Sequence, residues 1–194
     1  MMLTVRPSYA FDLVDTKTVF SIPVPPRLSG GVTVLETCAL LSFAKWLEGK
    51  RGPNGASMFE FGTFKGQTTR TIVLNLPALA VSTLDLNPSL SDVLLNGSLN
   101  VTRLKGHSGS FDFAPFSKTF DLIFIDGGHD YYTVKSDTEN AVRMVRPGGI
   151  IVWHDYGTPE WDVTKYLDEV AETLNIHRVE ETSLCFYEEP GVAA

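Results

Sequence analysis

From residue 57 onward, short apolar runs alternate with stretches of helical periodicity, and this alternation limits the possible folds more than any other feature of the chain. Ser57–Phe61, Ala80–Leu86, Leu99–Leu104, Phe120–Asp126 and Ile150–His154 read as strands. Thr69, Ile72, Val73 and Leu76 form the apolar face of a helix after the first of them, and a short helix is expected around Ser89–Leu95. Val134, Ala141, Val142 and Val145 mark another helix, ended by Pro147-Gly148-Gly149. Val163, Tyr166, Leu167, Val170 and Leu174 mark a last, amphipathic one. Phe120–Asp126 and Ile150–His154 are mostly apolar, as strands covered on both faces must be. Ile176–Val179 and Leu184–Tyr187 lie too close together for a helical crossover, so they should be antiparallel neighbours. The expected architecture is α/β: a Rossmann-like, doubly wound, seven-stranded, mostly parallel sheet with an antiparallel final strand.

Ahead of this region, Thr33-Val34-Leu35-Glu36 fits a capping box, and Leu40, Phe43, Ala44 and Leu47 continue it at helical spacing. Residues 1–31 carry Pro7, Pro23, Pro25 and Pro26 and end in Gly30-Gly31, so they read as an irregular arm or lid on a single domain spanning 32–194. At 194 residues the chain is long enough to bury a core without disulfide or metal staples, and Cys38 and Cys185 are read as buried free thiols. A net charge of −7 argues against a nucleic-acid partner, which would call for an excess of Lys and Arg. No apolar run is long enough for a membrane span, and the first residues lack a secretory pattern, so the expected compartment is the cytoplasm.

In a parallel α/β sheet, ligands bind where strands end. Strand one runs into Glu60-Phe61-Gly62-Thr63-Phe64-Lys65-Gly66, a glycine turn into a helix whose free N–H groups can meet a ligand closely. It is neither a Walker loop nor GxGxxG. Asp85 ends strand two, placed like an acid that takes a ribose hydroxyl pair. Gly106-His107-Ser108-Gly109 follows strand three and could border an adenine or serve as a plain connection. Strand four ends in Asp126-Gly127-Gly128-His129 and strand five in His154-Asp155-Tyr156. Asp126, His154 and Asp155 are candidate ligands for a divalent cation, and His129 is a candidate general base. Trp153 and Trp161 fall near the same rim, where they either contact substrate or, the simpler role, pack in the core or an interface.

These residues resemble class I methyltransferases that use S-adenosylmethionine. Glu60 to Gly66 looks like their E-x-G-x-x-x-G motif, and Asp85 matches the acid that ends their second strand. Asp126 to Tyr131, Arg146-Pro147-Gly148-Gly149 and His154-Asp155-Tyr156 look like the branch containing macrolide-sugar O-methyltransferases and cephalosporin-hydroxylase-like proteins. The resemblance implies S-adenosylmethionine held by Glu60, Phe61, Gly62, Thr63, Lys65, Gly66, Asp85, His107, Ser108 and Asp126. It implies catalysis by His129 and Asp126, and magnesium or another divalent cation on Asp126, His154 and Asp155. In the sugar enzymes an acid stands at the position of His154, so the metal site departs from that pattern. Asp126-Gly127-Gly128-His129 does not resemble the Asn/Asp-Pro-Pro-aromatic motif of nucleobase amino-methylating enzymes. The expected acceptor is therefore a hydroxyl of a small molecule. The alternatives are a cofactor-binding protein without methyl transfer, and another nucleotide-dependent enzyme such as an oxidoreductase. The sequence does not name the acceptor or the oligomeric state.

Overall fold

The computed structural model describes residues 4–6, 13, 17–22, 31–52 and 55–191. Helix α1 (Val34–Arg51) begins at the expected capping box: the Thr33 side chain accepts from the Glu36 N–H at 3.3 Å, and the Glu36 carboxylate accepts from the Thr33 N–H at 2.8 Å. Then follow β2 (Ser57–Phe61), α2 (Gln67–Asn75), β3 (Ala80–Asp85), α3 (Asp92–Leu95), β4 (Val101–Lys105) and β5 (Phe120–Ile125). The chain closes with α4 (Tyr131–Met144), β6 (Val145–Trp153), α5 (Val163–Val170), β7 (His177–Val179) and β8 (Cys185–Glu188).

The seven expected strands form one sheet, and an eighth, β1 (Thr4–Arg6), adds to its edge beside β7. The sheet order is β1-β7-β8-β6-β5-β2-β3-β4. Only β8 runs antiparallel, to both β6 and β7. The order reverses between β2 and β5, so their carboxyl ends flank the crevice of a doubly wound fold.

Side-chain alternation along the central strands builds two cores. On one face, Leu122 and Phe124 of β5 and Ile150 and Val152 of β6 pack against α1 and α2 through Leu40, Phe43, Leu47 and Ile72. On the other, Ile123, Ile125, Ile151 and Trp153 pack against α4 and α5 through Val134, Ala141, Met144 and Leu167. Trp153 is fully buried, and its indole N–H donates to Thr138 at 2.9 Å, so this tryptophan belongs to the core.

Three expectations shift. Pro147-Gly148-Gly149 does not stop a helix at Val145; α4 ends at Met144, and the Pro-Gly-Gly segment is a bulge near the start of β6, absorbed between the Phe120–Val145 and Leu122–Ile150 pairs. The arm is not wholly irregular. Besides β1, Ser21 exchanges two hydrogen bonds with the Asn75 side chain, and Leu13, Phe20 and Ile22 pack on the α1/α2 core. The rest of residues 1–30, and with it most of the expected lid, lies outside the described residues. Cys185 is buried as expected, but Cys38 is partly exposed; both are free thiols. Among the described residues, no helix is long and apolar enough to cross a membrane.

Candidate active site

The turn after β2 is held from β3. Asp85 accepts from the backbone N–H groups of Thr63 at 3.1 Å and Phe64 at 2.8 Å through one oxygen, and from Asn87 at 2.7 Å through the other. Oδ1, which accepts only from Asn87, retains a lone pair for a ligand hydroxyl, while Oδ2 is filled by its two backbone donors. Gly62 sits at φ 86°, and a Cβ there would collide with the Asp126 carbonyl, so only glycine lets β2 and β5 end this close together. Gly66 is the left-handed cap before α2.

Glu60 is not in the crevice. It is buried beneath the turn, where it accepts from Thr69 at 2.5 Å and Thr83 at 2.8 Å, and Thr83 in turn bonds Thr63. Burial pushes its carboxyl up to about 8 against those two hydrogen bonds. Its place is as a brace joining β2, α2 and β3 under the glycine turn.

The strand ends surround a cleft of about 860 Å³, a size typical of small-molecule sites. Phe61, Gly62, Asp85, His107, Ser108, Asp126, His129, His154 and Asp155 all line it. Thr63 and Lys65 line a smaller adjoining recess of about 60 Å³, which Gly62 and Asp126 share. The predicted residues thus converge, Glu60 and the cap Gly66 excepted.

At one end of the cleft, two histidines and three acids form a network. His154 Nδ1 lies 3.1 Å from Asp126 Oδ1 and 3.0 Å from Asp155 Oδ1, and its Nε2 lies 3.3 Å from Glu36 Oε2. Asp155 extends its other oxygen to His129 Nε2 at 2.9 Å. Burial opposes a charged His154 ring, but hydrogen bonds to Asp126, Asp155 and Glu36 outweigh it and its pKa is pushed up to about 12. Burial likewise works against the Glu36 carboxylate, yet His154, Ser183 and Thr33 hold it well below its ordinary value. Burial raises Asp126, while His129 and His154 keep Asp155 low despite its burial. Asp155 has φ 70°, a left-handed conformation that is strained for a non-glycine residue and common at functional sites. The imidazole of His129 stacks on Trp161, with ring centroids 3.9 Å apart.

Asp126, His154 and Asp155 can bring one ligand atom each to within 4.8 Å of one another. The 3.0 and 3.1 Å separations around His154 Nδ1 are also those of right-angle neighbours in a site with bonds of about 2.1 Å, so an ion would fit there only by displacing the Nδ1 proton that now bridges to the acids. An imidazole with two carboxylates fits a divalent transition ion better than magnesium, which prefers oxygen alone. Glu36 on the remote nitrogen is the outer carboxylate that metal-bound histidines commonly carry.

Two contributors escaped the sequence reading, and a third was left open by it. Glu36 reads as a cap, and its cap role is real; its reach to His154 and Ser183 has no local signature. Trp161, read as either packing or a contact at the site, lines the cleft. Asp137 also lines the cleft, and here a signal existed: a carboxylate three residues from Val134 and four from Ala141 falls on the apolar stripe of α4.

Comparison with known proteins agrees with this geometry. The family described as a methyltransferase domain matches residues 59–156. A protein of unknown role from Acanthamoeba polyphaga mimivirus is 30% identical over 116 residues, covering 53% of this chain and 52% of its own length, so the chain spans about half of that relative. A Staphylococcus aureus structure whose name assigns it to the caffeoyl-CoA O-methyltransferases superimposes with TM-score 0.67 at 14% identity, covering 82% of this chain and 85% of its own. The O-methyltransferase NovP gives TM-score 0.61 at 13% identity over 79% of each chain. The N-methyltransferase NodS of Bradyrhizobium japonicum, solved with S-adenosyl-L-homocysteine, gives 0.54 at 17% identity, covering 77% of this chain and 85% of its own. These likenesses are of fold. Together with the family match and the glycine turn at the switch point, they place the chain in the methyltransferase-domain family of class I S-adenosylmethionine-dependent enzymes.

Proposed function

We propose that the protein transfers a methyl group from S-adenosylmethionine to a hydroxyl of a small molecule, with His129 as the general base. The observation that carries this reading is the His129–Asp155 pair on the cleft wall. With Nε2–H held by Asp155, the lone pair of His129 sits on Nδ1, free to take a proton. The Gly62–Gly66 turn and the α2 N-terminus suit the amino-acid part of the donor, Asp85 its ribose, and His107 and Ser108 the edge of its adenine. NovP, an O-methyltransferase by name, and the lack of an Asn/Asp-Pro-Pro-aromatic motif after β5 favour oxygen as the nucleophile.

In the reaction the acceptor oxygen forms a bond to the methyl carbon as the C–S bond breaks, its electron pair remaining on sulfur as the thioether. The hydroxyl proton passes to His129 Nδ1. Holding the oxygen in line with the C–S bond can supply roughly 7–11 kcal/mol of the barrier reduction. Asp126, His154 and Asp155 would hold a divalent ion, whose chemistry when bound is to stabilise charge on the acceptor oxygen. Trp161 stacks on one face of His129 and so fixes the plane in which its nitrogens point.

Titration calorimetry with S-adenosylmethionine, S-adenosylhomocysteine and NAD tests the cofactor class. The two sulfur compounds should bind and NAD should not; saturation at 100 times the dissociation constant should stabilise the fold by about 2.7 kcal/mol. Folded protein that binds neither sulfur compound would overturn the reading, and binding of NAD alone would favour an oxidoreductase. Chelation of divalent ions should slow turnover and leave S-adenosylhomocysteine affinity intact; unchanged turnover would remove the metal from the proposal.

A further inference from the structure

The cleft is short of cations. Asp85, Asp126, Asp130 and Asp155 line it, and among the described residues no lysine or arginine does. Lys65 lies in the small recess beside the glycine turn, at the end suited to the donor. The basic groups of the cleft are histidines already engaged: His154 by Asp126, Asp155 and Glu36, and His129 by Asp155, while His107 accepts from the Gly109 N–H at 3.0 Å. Asp130 follows the base in the chain and is exposed on the same rim. It caps α4, accepting from the N–H groups of Tyr132 and Thr133 at 3.1 Å each and from the Thr133 hydroxyl at 2.6 Å. Those bonds hold its carboxyl below the ordinary value, so it is ionised, and they leave it acceptor capacity for a ligand.

Trp161 stands on the same rim, 39% exposed, with His129 stacked on its indole. Its loop is locked to that of the base: the Asp162 N–H donates to the His129 carbonyl at 3.0 Å, and the Asp162 carboxylate accepts from the Tyr131 N–H at 3.3 Å. Lys165 keeps its Nζ over the Tyr131 ring at 5.2 Å and does not line the cleft. An exposed indole and an ionised carboxylate beside the base are the groups that recognise an ammonium. We propose that the acceptor is a hydroxyl compound carrying a protonated amine, its ammonium drawn to Asp130 and Trp161 while its hydroxyl meets His129. The inference rests on the methyl-transfer reading of the cleft. An acceptor bearing a carboxylate or phosphate there finds no cationic partner and meets the charge of Asp130. A divalent ion on Asp126, His154 and Asp155 would be matched by its own two acids and would leave Asp130 as it is.

The test uses the full-length protein saturated with S-adenosylhomocysteine and three phenols of one shape: tyramine, the neutral tyrosol and the anion desaminotyrosine. Calorimetry should rank them in that order, with tyramine ahead of the anion roughly tenfold. Asp130→Asn keeps a good cap and loses only the charge, so it should shrink that span to about two- to threefold. An anion bound as well as tyramine, tyrosol bound best, or a span unchanged in the variant would overturn the proposal. Trp161 supplies a reading that needs no bound phenol. Its fluorescence, taken as the difference between wild type and Trp161→Phe, should be quenched more by caesium than by iodide, each scaled to its quenching of free N-acetyltryptophanamide, and Asp130→Asn should narrow the gap. Where no phenol binds, this ratio decides, and scaled iodide quenching equal to or above that of caesium would overturn the proposal. Wild type that does not bind S-adenosylhomocysteine would instead overturn the methyltransferase reading beneath it.

Discussion

At the scale of single residues, the site rests on who holds each proton. His129 has Asp155 on one nitrogen and the cleft before it, so removing its ring removes the base while the glycine turn and Asp85 proposed for the donor stay in place. His129→Ala should lower the rate constant for methyl transfer roughly 10²–10⁴-fold and leave the S-adenosylhomocysteine dissociation constant near wild type; equal losses in both would mean the ring builds the pocket instead. Asp155 makes a sharper case. Its backbone is left-handed, which asparagine tolerates better than most residues, so Asp155→Asn should fold well while loosening its hold on both His129 and His154. Single-turnover kinetics should show a slow chemical step at normal donor affinity; an unimpaired step would detach Asp155 from catalysis.

At the scale of elements, one side chain ties α1 to the end of β6 and the segment before β8. Glu36 accepts from the Thr33 N–H, from the backbone and hydroxyl of Ser183 at 2.8 and 2.7 Å, and from His154. Thr33→Ala should cost only the cap, about 1 kcal/mol. Glu36→Ala should cost more, about 3–5 kcal/mol, because it strands a buried imidazolium as well. Urea denaturation of both variants measures the difference, and equal losses would reduce Glu36 to a cap. The same residue shows what a sequence can and cannot disclose. Thr33 and Glu36 are three positions apart, so their pairing is written in the local order; Glu36 and His154 are 118 apart, and only the packing of α1 against the sheet unites them. The strand-end residues were legible for a related reason, since a parallel sheet delivers every carboxyl end to one rim whatever lies between. Glu60 was misplaced because alternation along β2 says which face a side chain takes, not whether a neighbouring threonine will claim it. Three residues of β1 were too few for any period to register, and Pro-Gly-Gly signals a break without saying whether a helix ends or a strand bulges.

At the scale of the whole molecule, the buried acids give stability a definite dependence on pH. Glu60 and Asp137 have native values near 8 and 7, whereas unfolded carboxyls titrate near about 4. Between those limits the native chain binds more protons than the unfolded chain, so these two groups lower stability as pH rises from about 4 to about 8. Glu36 and Asp155 act in the opposite sense. Their native values are depressed, so the stability they add is present above about 4 and is lost only as pH falls through their lowered values. His154 is raised to about 12, so the stability it adds is complete below about 6.5 and declines as pH rises above that. The sum is a protein most stable in mildly acidic solution and weaker at pH 8. Urea unfolding of the free protein at pH 5, 6.5 and 8 should show that decline, and Asp137→Asn, which cannot ionise, should flatten part of it. A variant with the wild-type pH profile would mean that Asp137 takes no part in the decline.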